Sequence, residues 1–323
     1  MSSKTTLLIY NPRAGKSLTR PKPEKLLKAL GPMADSTHLA VTAYPGHARE
    51  IAAVEGNRYQ TVICCGGDGT LNEVISGLPQ AGPRPAVGYI PIGSTNDLAS
   101  NVGIPTDLQG AAEMIRSGQT HGYDVGTFND RFFTYIASFG PGVSVSYATP
   151  QRVKNVLGYS AYMINGFGFQ VIPTMRALKP RHIRVEYDGN VLDEDFYFGT
   201  VSNALSAGGM FRFNKDEVKF DDGLFEVVLI RRVRSPLQLF SLLRKMRRHE
   251  YDGETLVHFQ AASMRFVFDK PEVWTLDGES SGEVSEVYID VKNEAIRLFS
   301  PNGAHFVKEE KKASYEQLLQ TYS

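Results

Sequence analysis

An α/β domain followed by an antiparallel β-sandwich is the fold class the sequence predicts, and three observations predict it. Up to about residue 125, short β-type runs alternate with helix-like segments, the rhythm of a parallel sheet covered on both faces. Beyond that point long strand-like segments follow one another, with Asp-Gly or Asn-type turns between them, as antiparallel hairpins require. A chain of 323 residues with 42% hydrophobic content also suits two cores better than one, because single cores stop growing near about 250 residues.

In chain order, TTLLIY (5–10), LAVTAY (39–44), TVICC (61–65) and AVGYI (86–90) read as strands, with helices at 24–30, 47–54 and 71–78 between them. DRFFTYIAS (130–138), HIRVEYDG (182–189), DEDFYFGTVSNA (193–204), LFEVVLIRRV (224–233), ASMRFVFD (262–269) and SEVYIDV (285–291) read as sandwich strands. Helical insertions interrupt them at 156–172 and 236–249. The change of rhythm divides the chain into 1–128 and 129–299, and the tail, 300–323, carries a helical YEQLLQTY that is free to pack back on the first domain.

Lys plus Arg and Asp plus Glu both number 35, so no net field draws the protein to nucleic acid, and no nucleic-acid partner is expected. The two cysteines, Cys64 and Cys65, are adjacent in an apolar run and read as core thiols of a reducing compartment. The apolar run near the amino terminus is short for a signal peptide, and nowhere do about 20 apolar residues run together. These features place the protein in the cytoplasm, with membrane contact only peripheral, at the inner membrane surface.

Three glycine-bearing loops follow three of the predicted strands. GGDGTLNEV (66–74) has the strand, loop, helix arrangement that holds phosphate. It is not a dinucleotide fingerprint, because the third glycine of that pattern would fall at Asn72. NPRAGKS (11–17) lacks the first glycine of a Walker loop, since Tyr10 stands there. PIGSTNDLAS (91–100) adds a glycine, two hydroxyls and Asp97 at the start of a helix. In a parallel sheet the three loops share the carboxyl edge, where one nucleotide reaches all of them. Asp68, between two glycines, then needs a cation between itself and a triphosphate, and Mg²⁺ takes one or two carboxylates plus phosphate oxygens and water. Asp97 becomes a second metal-side residue, and Asp124, in HGYDVGTF, could add a third carboxylate through water. Plainer readings stand beside these: GGDG as a turn, Asp97 as a helix cap and Asp124 as a turn or surface acid.

NPRAG, GGDGTLNEV, IPIGSTNDLA, YDVG, DDGLFEVVLI and LDGE together resemble the diacylglycerol kinase catalytic family, most closely its soluble bacterial lipid kinases, over residues 11–279. GGDGT alone is shared with NAD kinases and phosphofructokinases. The resemblance implies a NAD kinase/diacylglycerol kinase-like ATP-binding domain at 1–128, a lipid-substrate sandwich at 129–299 and an active site in the interdomain cleft. It implies ATP over Asn11, Pro12, Arg13, Ala14, Gly15, Thr42, Gly66, Gly67, Asp68, Gly69, Thr70, Leu71, Asn72 and Ser94, with Mg²⁺ near Asp68, Asp97 and Asp124. It implies Glu279 as acceptor of the lipid hydroxyl proton, and a structural Mg²⁺ on Asp222 with the backbones of Lys219 and Leu224. Read without the family, Glu279 is an acid just past a tight turn, suited either to a general base or to a solvent-facing hairpin, and an Asp-Gly turn at 222–223 needs no metal.

The expected reaction is ATP- and Mg²⁺-dependent phosphorylation of a lipid hydroxyl, diacylglycerol first. The alternatives are a kinase of another lipid or of a soluble alcohol such as NAD, and a non-catalytic nucleotide-binding regulator. Lys16 is a candidate electrophile for phosphate or a solvated surface lysine. SPLQLFSLLRKMRRHE (235–250) pairs an apolar stripe with a basic end, as an interfacial helix or a core helix would. GYSAYMINGFGFQVIP (158–173) suits an acyl-chain cleft or a core helix, and an exposed strand edge of the sandwich would permit a homodimer.

Overall fold

The computed structural model describes residues 6–15, 20–78, 84–140, 179–207, 211–214, 217–233, 235–301, 303 and 305–306. By its contacts the chain divides into two units: the described parts of Met1–Asp124, Lys219–Asp222 and Asn293–Ser323, and those of Val125–Val218 and Gly223–Lys292.

In the first unit, β1 (Thr6–Tyr10), β2 (Thr37–Val41), β3 (Thr61–Gly66) and β4 (Ala86–Pro91) pair in parallel in the order β2-β1-β3-β4. The helices are α1 (Pro23–Leu30), α2 (His47–Glu55), α3 (Asp68–Gly77), α4 (Asp97–Val102) and α5 (Leu108–Ser117). β1, β3 and β4 are buried along their whole length, which is why they read as unbroken apolar runs. Strand alternation sends Leu8, Tyr10, Ile63 and Cys65 to the face covered by α1 and α5, where Leu26, Leu30, Ala112 and Ile115 meet them. Leu7, Ile9, Val62 and Cys64 face the other side, against which α2 and α3 pack. Adjacent Cys64 and Cys65 thus point to opposite faces, both unbridged, and burial pushes both thiols up, so they stay protonated.

By contacts the first unit is assembled from three stretches of chain. β5 (Thr120–Phe128) belongs to it only through Asp124, and residues 219–222 and 293 onward return to it. Backbone bonds explain the return: Asp124 N–H donates to Phe220 O, and Phe220 N–H donates to His305 O. Phe306 stacks on His121, whose ring also bonds the Ser300 hydroxyl.

The second unit is antiparallel: β6 (Arg131–Phe133), β7 (Ile136–Phe139), β8 (Arg181–Tyr187), β9 (Asn190–Ser202), β10 (Ser206–Ala207), β11 (Phe211–Arg212), β12 (Phe225–Arg231), β13 (Leu256–Ala261), β14 (Ser263–Leu276) and most of β15 (Glu279–Phe299). The long strands β9 and β14 each pair with β8 at one end and β7 at the other, which folds the strands around one core. Trp274 lies at its centre, with Phe128, Phe266 and Phe268 edge-on to its ring and Phe139 tilted against it. α6 (Pro236–Arg248) starts at Ser235, whose hydroxyl accepts from Gln238 N–H, and ends at His249 in the left-handed conformation.

Three expectations change. The run 130–138 is two strands, because the Asp277 carboxylate takes the amides of Thr134, Tyr135 and Ile136 that would have continued the ladder. ASMRFVFD and SEVYIDV are pieces of far longer strands, and α5 and β13 were not among the expected elements. Lys16, the insertion at 156–172, the stretch 158–173 and the YEQLLQTY helix lie outside the described residues.

Candidate active site

The loops after β1, β3 and β4 meet backbone against backbone. A Cβ on Gly15 would stand 1.9 Å from Ile92 O, and one on Gly93 would stand 2.7 Å from the Gly67 Cα, so side chains at these positions would force the loops apart. Ladder bonds continue past the strand ends, from Asn11 N–H to Cys65 O and from Ile92 N–H to Gly66 O, each 2.9 Å or shorter. Asn11 Nδ2 donates to Thr70 Oγ1 at 2.9 Å, fastening the first loop to α3. Arg20 clamps the same loop by donating to the carbonyls of Arg13, Ala14 and Gly15. Thr42 is buried at the end of β2, its amide on Tyr10 O, while Ser94 is exposed on the third loop. Leu71 is fully buried, so only its backbone can face a ligand.

α3 opens at Asp68 behind Gly67, and no side chain caps it. An uncapped start presents first-turn amides without intrahelical acceptors and the positive end of the helix dipole. The start of α1 likewise has no side-chain cap but opens on Pro23, which has no amide to offer, and the starts of α2, α4 and α5 are partnered. Asp107 caps α5, and Glu73 accepts from the amides of Gly46 and Ala48 at the start of α2. At α4 the Asp97 amide donates to Asp68 Oδ2 at 3.0 Å. Thr95 Oγ1 also donates to Asp68 Oδ2, at 3.3 Å, and Tyr89 OH donates to Oδ1 at 3.4 Å. The Asp68 carboxylate therefore lies between two helix starts and ties the second loop to the third. Tyr89 is fully buried, and burial first, with the Asp68 charge behind it, pushes its phenol well above the ordinary range, so it remains a donor.

Asp124 is held at the meeting of β5, β15 and the 219–222 stretch. It is fully buried, with Oδ1 accepting from Asn293 Nδ2 at 3.0 Å and from Glu294 N–H at 2.6 Å. It acts as a tie among β5, β15 and the 219–222 stretch, where Asn293 also donates to Asp221 O. Among the described residues no three Asp, Glu, His or Cys side chains converge as a metal cluster. In the 219–224 segment Asp222 is half-buried beside Gly223, which turns at φ +82°.

Glu279 opens β15 after Asp277 and Gly278, both at positive φ, a two-residue hairpin turn that Asp277 pins to the start of β7. Its side chain is exposed and takes no hydrogen-bond partner among the described residues. Arg20, Glu73, Tyr89 and Thr95 were missed as site-building residues. Only Glu73 left a local signal, an acid on the polar side of the α3 segment; the others act through space.

The family profile for the diacylglycerol kinase catalytic domain matches residues 5–128, and that for the YegS C-terminal NAD kinase beta sandwich-like domain matches 149–300. A diacylglycerol kinase of Staphylococcus saprophyticus is 31% identical over 301 residues, covering 93% of this chain and 96% of its own. One from Staphylococcus aureus strain Newman is 30% identical over 308 residues, covering 93% of each. Two Bacillus anthracis structures share the fold. A candidate diacylglycerol kinase has a TM-score of 0.76 at 24% identity, covering 94% of this chain and 96% of that one. A diacylglycerol kinase has a TM-score of 0.69 at 19% identity, covering 94% and 98%.

Proposed function

The chain belongs to the diacylglycerol kinase family and is a lipid kinase, and on that premise we propose that it transfers the γ-phosphate of ATP to the free hydroxyl of diacylglycerol, giving phosphatidic acid and ADP. The observation that carries this reading is the uncapped start of α3 set among three glycine loops packed too closely for side chains. Such an edge offers amides, and little else, to phosphate oxygens.

In the proposed step the lipid hydroxyl oxygen attacks the γ-phosphorus, the bond from that phosphorus to the β,γ-bridging oxygen breaks, and the hydroxyl proton passes to Glu279. A turn-mounted, unpartnered carboxylate is free to accept it. The remaining work is positioning and charge stabilisation, as phosphoryl transfer requires. Asn11, Arg20 and Asn72 sit where they hold or border the loops: Asn11 on Thr70, Arg20 on three carbonyls, and Asn72 as acceptor for Ser76 Oγ.

The Asp68 carboxylate accepts from the Asp97 amide at 3.0 Å and stands at the start of α3, beside the loop that carries Asp97. Two carboxylates on adjoining helix starts, Asp68 and Asp97, would hold a magnesium ion carried by the nucleotide, which would take its other ligands from phosphate and water and neutralise the phosphate oxygens. The turn with Asp222, and the carbonyls of Lys219 and Leu224, is the proposed second cation position.

The proposed route to the lipid is α6. Leu237 is 83% exposed and Phe240 is 72% exposed, one turn apart, with Arg244 and Arg248 exposed farther along the same helix. That combination suits an anionic lipid surface. Among the described residues no helix is long and apolar enough to cross a membrane.

The test is transfer of labelled γ-phosphate to a panel of lipid and water-soluble alcohols in mixed micelles. Labelled phosphatidic acid as the main product supports the proposal; labelling of soluble alcohols alone, or of no acceptor, overturns it.

A further inference from the structure

A second basic site lies at the amino-terminal edge of the first unit's sheet, the edge away from the glycine loops. An open cavity of about 820 Å³ is bounded there by the first residues of β1, β3 and β4, the end of α5 and the end of β15. Arg58, Arg84, Arg116 and Arg297 all line it, and no carboxylate is among its lining residues. Arg116 Nη1 donates to Ala29 O, and Arg297 Nη2 donates to Thr120 Oγ1 at 3.0 Å. Both acceptors are neutral, so these bonds orient the guanidiniums and leave their charge in place; neither enters an ion pair among the described residues. Arg58 is mostly exposed and pairs with Glu55 at 3.2 Å. Thr6, also lining the cavity, is fully buried, and its hydroxyl has no hydrogen-bond partner among the described residues.

A plainer role exists for part of this. Arg116 closes α5 and Arg58 a short helical turn, where a cation complements the negative helix end. That end carries about half an elementary charge, less than either guanidinium brings, and Arg297 stands on a strand with no helix end to serve. Apolar Pro32, Met33, Ile115 and Phe299 lie beside the arginines. The volume is that of a small-molecule site, and guanidinium groups bind phosphate in two-pronged fashion.

We propose that this cavity binds a terminal phosphate group, at a site separate from the glycine loops and independent of the reaction proposed above. The ligand chemistry is shared by free phosphate and by the headgroup of phosphatidic acid, whose chain would use the apolar wall.

The test is calorimetric titration of the full chain at low salt with sodium phosphate and, separately, with dihexanoyl phosphatidic acid below its micellar concentration. The proteins are wild type, Arg116→Ala, Arg297→Ala and the exposed variant Arg58→Ala, with thermal melts to establish folding. Binding by wild type that weakens about tenfold in each folded inner variant, and less in Arg58→Ala, is the expected result. Should one inner variant fail to fold, the other and Arg58→Ala decide. Equal affinity for the two ligands assigns the site to free phosphate; tighter binding of the lipid assigns it to the headgroup with its chain. No binding of either ligand by wild type, or isotherms that the substitutions leave unchanged, overturns the proposal.

Discussion

Replacing Gly15 by alanine separates what this loop does from what any left-handed glycine does. Gly15 has φ +63°, and its added Cβ would stand 1.9 Å from Ile92 O; Gly46 has φ +87°, and its added Cβ meets nothing within 4 Å. Both substitutions cost about 1–2 kcal/mol for the left-handed backbone. Only Gly15→Ala must also open a gap: tight contacts begin near 3.4 Å, so the first and third loops have to part by roughly 1.5 Å or distort. Overpacking of that kind costs about 1–3 kcal/mol more, and a displacement near 1 Å at a phosphate site can cost about a hundredfold in rate. The assay pairs thermal melts with ATP-dependent kinetics of the two variants. Gly46→Ala should lose stability with kcat/KM for ATP unchanged, whereas Gly15→Ala should lose at least about tenfold in kcat/KM and more stability than Gly46→Ala. Equal kinetics for the two would refute the packed-loop site.

Glu279→Gln should lower kcat by about 10²–10⁴-fold with an unchanged melting temperature, because the side chain is exposed and unpartnered; a wild-type rate removes it as the base. Leu237→Ser with Phe240→Ser should cut co-sedimentation with phosphatidylglycerol vesicles at least about tenfold, each side chain forfeiting roughly 1.5–3 kcal/mol of apolar burial in lipid, while the melt in buffer stays put; unchanged sedimentation excludes α6 as the docking face. Asp252 supplies a pH signature. Burial pushes its carboxyl up, but the Lys245 ammonium and the amides of Leu256 and Thr255 outweigh burial and hold it at about 2. A depressed carboxyl stabilises the fold above its unfolded value near 4 and loses that contribution as pH falls through about 2. Asp252→Asn should therefore lower stability by about 1–2 kcal/mol at pH 7, with the difference shrinking between pH 4 and 2; a difference independent of pH counts against the ion pair.

β1, β3 and β4 were legible because burial on both faces leaves unbroken apolar runs that stop at glycine loops. The convergence of Gly15, Gly67 and Gly93 followed from the same parallel order, since consecutive loops of such a sheet share an edge. α5 had readable signals that went unused: Asp107 before it, Gly118 after it, and Ala111, Ala112 and Ile115 on one side. β14 and β15 hid their length, because β14 contains Pro271 within a register shift and β15 is rich in exposed charge. The break at Thr134 was unreadable, since the residue that makes it, Asp277, is 143 positions away. The same is true of the hold on Asp124, since Asn293 and Glu294 lie about 170 positions away.

The most direct test of the central claim is a crystal structure with a non-hydrolysable ATP analogue and magnesium. The expected result is phosphate oxygens on the first-turn amides of α3, with the metal between them and Asp68. A triphosphate bound elsewhere, with that helix start facing only solvent, would contradict it.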